Sequence, residues 1–165
     1  MRAKYALPAR FVLNVGAIEP RKNALEIVKA IAPLPDLSLV LVGAQTAYYQ
    51  QIVAYCKAHN LSDRVLALKG VSMQELAMIY QQAEVFCYPS VFEGFGIPII
   101  EALFSRVPVI TSEGSCFAEA GGAHSCYIRL DKAADEIREA IVRISSDRLL
   151  REEMIEKGYA HAQRF

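Results

Sequence analysis

Glu93 and Glu101 stand eight residues apart in the run PSVFEGFGIPIIEAL, residues 89–103, which also carries Gly94, Gly96 and Pro98. A buried apolar segment does not ordinarily hold two acids and two glycines. Three chemistries fit such a pair: general acid and base, two anchors on one hydroxyl-bearing ligand, or two solvated charges. Paired carboxylates that hydrolyse glycosidic bonds sit about 5–9.5 Å apart. Eight helical residues span about 12 Å. That separation disfavours a hydrolytic pair and suits two anchors, since carboxylates accept hydrogen bonds from vicinal hydroxyls of a ribose or hexose. Gly94 and Gly96 permit a tight backbone whose N–H groups can face a ligand. Pro98 suits the first residue of a helix, so Glu93 is expected in a loop and Glu101 about one turn inside the helix, both able to face one cleft.

A second candidate lies far upstream, in GAIEPRKN, residues 16–23. It is neither a dinucleotide fingerprint nor a Walker loop, because it has one glycine. It does bring Arg21 and Lys22 to the entrance of a helix, where two cations and a helix N-terminus make a diphosphate site. Two solvated charges on a first helical turn would look the same.

The surrounding pattern says how such residues are positioned. Apolar runs at 11–16, 37–43, 64–68, 84–90, 107–111 and 126–130 alternate with helix-like stretches. Ser72 and Glu75 form a capping-box pattern that starts one of these helices. The tail from Asp131 to about Arg164 reads as helical, with a break near 145–147. The strand runs are continuously apolar rather than alternating, which implies burial on both faces and a parallel sheet. The expected fold is therefore a Rossmann-like three-layer α/β/α sandwich with about six parallel strands, in one domain covering residues 1–165. Ligands in open sheets of this kind bind outside the carboxyl ends of the strands. Both candidate segments fall there, as do the loops at 43–46, 70–73 and 112–119.

Composition narrows the partners. Eighteen basic residues balance eighteen acidic ones, so net charge offers no argument for nucleic acid or an anionic membrane. No apolar stretch is long enough to span a bilayer. Cys56, Cys87, Cys116 and Cys126 form no C-x-x-C pair, which fits structural, reduced thiols and a cytosolic setting. His59, His124 and His161 are scattered and suggest no catalytic or metal role.

The run from Pro89 to Leu103 resembles the E-x7-E signature of retaining GT-B glycosyltransferases of the family 4, or group 1, type. FVLNVGAIEPRKN resembles that family's first strand and phosphate loop, and LVLVG its second strand. RVLALKGVSMQELAMIYQQAEVFCYPS resembles the segment leading to the signature, and VPVITSEGSCFAEAGG the strand and turn after it. The likeness spans about residues 5–145. It implies that Glu93 holds hydroxyls of a donor sugar and that the backbone at Gly94, Phe95 and Gly96 contacts the sugar and nearby phosphate. It further implies that Glu101 grips the nucleotide ribose, with Ile97 and Pro98 beneath it. Lys22 would neutralise the donor diphosphate, helped by Arg21 beside Gly16. Backbone at Gly70, Val71 and Ser72 would run along the base. The catalytic groups would be Glu93 and Lys22. The donor would be a nucleotide-diphosphate sugar, with no cofactor and no metal.

The sequence departs from the family pattern in three places. Ala17 stands where many members carry an arginine, Asn23 replaces the usual glycine after the loop lysine, and residues 115–122 are atypical, so Glu119 receives no role. The length matches only the C-terminal, donor-binding half of such an enzyme. AKYALPARF resembles the connector between halves, and YAHAQRF a helix that runs back to the first half. The resemblance implies a missing N-terminal half that brings a saccharide or lipid-linked acceptor. It implies cytoplasmic placement, with membrane association at the inner face only through that half, and little turnover by this half alone. Competing readings are a GT-B nucleotide-sugar epimerase, a phosphorylase, for which no pyridoxal-phosphate lysine motif is found, a non-catalytic nucleotide-binding module, and a plain structural domain.

Overall fold

The computed structural model describes residues 2–165. In chain order the elements are α1 (Arg2–Tyr5), β1 (Phe11–Val15), α2 (Ala24–Ile31), β2 (Ser38–Val42), α3 (Tyr49–Ala58), β3 (Val65–Leu68) and α4 (Met73–Gln82). They continue with β4 (Val85–Tyr88), α5 (Ile97–Phe104), β5 (Val109–Ser112), α6 (Phe117–Gly121), β6 (Cys126–Ile128), α7 (Ala133–Ser146) and α8 (Arg148–Ala162). The described residues form a six-stranded sheet in the order β3-β2-β1-β4-β5-β6. Every pairing is parallel. This is the expected three-layer Rossmann-like sandwich.

The continuous apolar strands behave as their composition demands. Every residue of β1, β4 and β5 is buried. The side chains alternate between two cores because successive residues of a strand point to opposite faces. Val12, Leu39, Leu41, Val85 and Cys87 pack with Ile27 and Ile31 of α2 and with Ile137, Ile141 and Ile144 of α7. Phe11, Leu13, Val40, Phe86 and Tyr88 pack with Ile79 and Tyr80 of α4, Ile99 and Leu103 of α5, and Phe117 of α6. The outer strands β3 and β6 are only partly buried.

The chain reverses its direction of winding between β1 and β4, the topological switch point of such sheets. The ladder there is short, pairing Val12 with Val85 and Leu13 with Phe86. Beyond it no further residues of the two strands pair. The buried Asn14 amide takes over the work of a main-chain bond, donating to the Cys87 carbonyl at 2.8 Å. In open sheets of this kind the ligand crevice lies outside the strand ends at this switch point.

The predicted helix boundaries hold with small shifts. The capping box forms as expected, Ser72 and Glu75 exchanging side-chain and backbone bonds. The break in the tail falls at Asp147, whose carboxylate caps α8 at the Leu150 N–H. Helix α5 starts at Ile97, one residue before the proline that signalled it. Gly96 makes this possible, capping the helix at φ 89°. Helix α6 was not foreseen. Its residues, FAEAG, are too few for a helical period to show.

Candidate active site

Lys22 sits on a single 3₁₀ turn, Pro20–Lys22, between β1 and α2. Asn23 follows at φ 59°, the left-handed conformation that glycine and asparagine tolerate best. This explains how Asn23 can stand where the family usually has glycine. Its amide also donates to the Pro89 carbonyl at 3.1 Å, tying the first loop to the fourth. Val91 N–H donates to the Arg21 carbonyl at 2.8 Å and strengthens that tie.

The two loops meet through their charges. Lys22 Nζ donates to Glu93 Oε1 at 2.5 Å and to the Tyr88 hydroxyl at 2.8 Å. Arg21 donates to the same Glu93 oxygen at 2.9 Å and to the Phe92 carbonyl at 2.7 Å. Its Nε also lies 2.8 Å from Glu19. Ser90 Oγ lies 2.8 Å from Glu93 Oε1 as a further donor. Lys22, Tyr88 and Ser90 are buried, whereas the Arg21 side chain is 46% exposed. Burial pushes the Glu93 carboxyl up, but the hydrogen bonds from Lys22 and Ser90 and the Lys22 charge outweigh it. The group stays below the ordinary carboxylate range and is ionised at neutral pH.

Glycines make room for this cluster. A side chain on Gly43 would place its Cβ 2.0 Å from the Gly16 carbonyl oxygen, so the ends of β1 and β2 can abut only without it. A Cβ on Gly16 itself would lie 3.5 Å from Lys22 Nζ. The approach to the ammonium is therefore over bare backbone.

Glu101 occupies different surroundings. Its Oε2 accepts from the Tyr80 hydroxyl at 3.0 Å. It also borders a cavity of about 550 Å³ between α4 and α5, walled by Met73, Leu76, Phe95, Ile97 and Phe104. The two carboxylates therefore hold different partners, and Glu93 does not line the cavity that Glu101 borders. Gly94 is exposed and Phe95 half-buried. The Phe95 ring meets Phe165 edge-on at 5.5 Å. No side chain caps α5; Pro98 has no N–H and the Ile99 N–H bonds the Gly96 carbonyl, so of the first three residues only Ile97 can turn its N–H outward. Gly70, at φ 67°, and Val71 form the turn into α4, and a Cβ on Gly70 would meet nothing within 4 Å.

The structure thus gathers Gly16, Arg21, Lys22 and Glu93 in one cluster, and Phe95, Ile97 and Glu101 along the adjoining cavity. Three residues were not singled out from sequence: Tyr88, Ser90 and Tyr80. The available signal was chemical. A tyrosine in an apolar strand or on the inner face of a helix needs a partner for its hydroxyl once buried. Glu119 lends only its backbone, its carbonyl lying 2.8 Å from His161 Nε2. The four cysteines are free thiols. Among the described residues no three His, Cys, Asp or Glu side chains gather as a metal site, and no helix is long and apolar enough to cross a membrane.

Residues 2–161 match the family model for glycosyl transferases group 1. This chain belongs to that family. The O-antigen chain mannosyltransferase RfbU of Salmonella typhimurium is 33% identical over 146 residues, which are 82% of this chain and 41% of that protein. The C-terminal domain of a group 1 glycosyl transferase, LpcC of Francisella tularensis, superposes with a TM-score of 0.82 at 20% identity, covering 98% of this chain and 89% of that domain. Anabaena HepE, solved with UDP-glucose, superposes with a TM-score of 0.88 at 18% identity, covering 99% of this chain and 46% of HepE. The fold is therefore that of a GT-B C-terminal domain. The chain spans less than half the length of RfbU.

Proposed function

We propose that this chain binds a nucleotide-diphosphate sugar across the crevice between β1 and β4, as the donor half of a retaining glycosyltransferase. The observation that carries the reading is the meeting of Lys22 and Glu93 at the switch point, 2.5 Å apart and brought there from loops 71 residues apart in sequence. Lys22, with Arg21 beside it, takes the diphosphate. Glu93 takes hydroxyls of the sugar. The Gly94–Gly96 backbone and the Ile97 N–H of α5 border both. Glu101 takes the ribose diol, and the turn at Gly70–Val71 runs beside the base. A hexosyl group passes to a hydroxyl of a saccharide or lipid-linked acceptor. The likeness to an O-antigen mannosyltransferase supports a mannosyl donor, and HepE's UDP-glucose supports the nucleotide-sugar class.

The chemistry follows from charge. In the resting cluster Lys22 is neutralised by Glu93. An incoming diphosphate carries more negative charge than a carboxylate and displaces it, and Glu93 is released to the sugar hydroxyls. As the bond from the anomeric carbon to phosphate breaks, negative charge grows on the departing diphosphate. A preplaced ammonium and a helix N-terminus stabilise it most at that moment. The chain's own residues supply this without a further cofactor. The acceptor and the opposing wall of the cleft fall to an N-terminal half of the same enzyme, working at the cytoplasmic side.

Calorimetric titration with GDP-mannose and UDP-glucose tests the reading. Lys22→Ala should weaken binding of the nucleoside diphosphate about tenfold or more, and of the nucleoside hardly at all. Glu101→Ala should weaken both. Equal losses in the Lys22 variant would remove the diphosphate role, and undiminished affinity in the Glu101 variant the ribose role.

A further inference from the structure

Three aromatic rings run in a row beneath the two anchors. Tyr80 from α4 meets Phe86 at 5.4 Å between centroids, and Phe86 stacks on Tyr88 at 5.7 Å, both from β4. Tyr80 and Tyr88 are each 1% exposed and Phe86 is fully buried. The rings fill one core, and phenylalanine is enough for that purpose in the middle of the row. At its two ends the residue is tyrosine. A buried hydroxyl costs stability unless it finds a partner, so two of them at the ends of one apolar row call for a reason.

Their partners supply it. The Tyr88 hydroxyl accepts from Lys22 Nζ at 2.8 Å. The Tyr80 hydroxyl lies 3.0 Å from Glu101 Oε2 and 3.2 Å from the Pro98 carbonyl. One end of the row touches the Lys22 ammonium, and the other the Glu101 carboxylate.

We propose that Tyr88 and Tyr80 are positioning residues for donor binding, Tyr88 holding Lys22 for the diphosphate and Tyr80 holding Glu101 for the ribose. This rests on the donor reading given above. When Glu93 turns from Lys22 to the sugar, the ammonium loses its charged partner, and its long stem has many rotamers. Tyr88 is neutral and fixed by packing. It keeps Nζ at the mouth of the crevice without competing for the diphosphate as a carboxylate would. Tyr80 fixes one oxygen of Glu101, so the other is presented to a diol in a set direction.

Tyr88→Phe and Tyr80→Phe keep the rings and delete only the hydroxyls. The intact protein would be titrated with GDP and UDP, their monophosphates, and their 2′-deoxy analogues. In Tyr88→Phe the diphosphate-to-monophosphate affinity ratio should fall about five- to tenfold, with the ribose-to-deoxyribose ratio unchanged. In Tyr80→Phe the pattern should reverse. Phe86→Leu should lower the melting temperature and leave both ratios alone, which is what a packing role alone predicts for all three. If both tyrosine variants leave both ratios intact, or shift them together, the positioning inference is overturned. Lys22→Ala and Glu101→Ala separate the two levels. Collapse of their respective ratios with intact tyrosine variants rejects only the inference. Unchanged ratios in all four variants reject the donor reading itself.

Discussion

The two ends of the sheet both gather cations, and they use them in opposite ways. At the amino ends of the strands Arg64 spreads its guanidinium over backbone carbonyls of Ile31, Ala32, Leu34 and Leu37, at 2.5 to 3.1 Å. Arg10 pairs with Glu84 through two bonds, and Arg151 donates to the Glu84 carbonyl. At the carboxyl ends Lys22 and Arg21 share a loop carboxylate, Glu93, with a hydroxyl as the second partner of Lys22. A backbone carbonyl cannot leave its cation while the fold persists. A carboxylate on a loop can be exchanged for a ligand. Arg64 is thus locked to main chain, whereas the Lys22 partner is a loop carboxylate that the proposed donor diphosphate could displace.

Substitutions at the two ends should therefore separate stability from binding. The largest effect belongs to the closed end. Arg64→Ala deletes several charged hydrogen bonds worth about 1.5–3 kcal/mol each. Because they act as one unit, the loss should be about 3 kcal/mol in urea unfolding, with donor affinity of the folded protein unchanged. Arg64→Lys should recover only part, since an ammonium cannot fork to several carbonyls.

At the open end Lys22→Met should cost less in urea unfolding than Arg64→Ala, because Arg21 and Ser90 still hold Glu93 and spare it the full penalty of an unpaired buried charge. The rise in melting temperature expected of the parent with a nucleotide sugar should be lost in this variant. A loss comparable to that of Arg64→Ala would erase the contrast between the ends.

Gly96→Ala probes the backbone of the open end. Its φ of 89° disfavours any L side chain, and the new Cβ would lie 3.2 Å from Ile99 Cδ1. The cost should be about 1–2 kcal/mol, with donor affinity falling as the first turn of α5 shifts.

The smallest effect is pH-dependent. The hydrogen bond from Arg10 holds the Glu84 carboxyl below its ordinary value, against the opposing influence of burial. A depressed carboxylate adds stability above its unfolded pKa and loses it as pH falls through the folded value. Glu84→Gln should therefore lose less stability than the parent between neutral and acid pH, by a few tenths of a kcal/mol for a half-exposed pair. A steeper acid loss in the variant would contradict that sign.

Much of this was legible along the chain because it depends on local rules. Strands buried on both faces must be apolar throughout, so β1, β2, β4 and β5 announce themselves by composition. Ser72 with Glu75 marks a helix start wherever it occurs. Glu93 and Glu101 were conspicuous because two acids in an apolar run need a reason. Tyr88 and Tyr80 gave no such sign. A tyrosine in a core segment reads as bulk until the partner of its hydroxyl is known, and Lys22 lies 66 residues from Tyr88 in sequence. Helix α6 was missed because five residues do not complete two turns.

The sequence by itself determined the layer architecture, the strand ends where a ligand would dock, and the identity of the charged groups. Periodicity, caps and glycines act over a few residues, so their signals are written locally in the chain. The tertiary structure alone decided which groups meet. The adjacency of β1 and β4 and the bonds between their following loops bring Lys22 onto Glu93, while α4 sets Tyr80 against Glu101. Those contacts depend on strand order and on the register of the sheet, which arise from packing the whole chain at once.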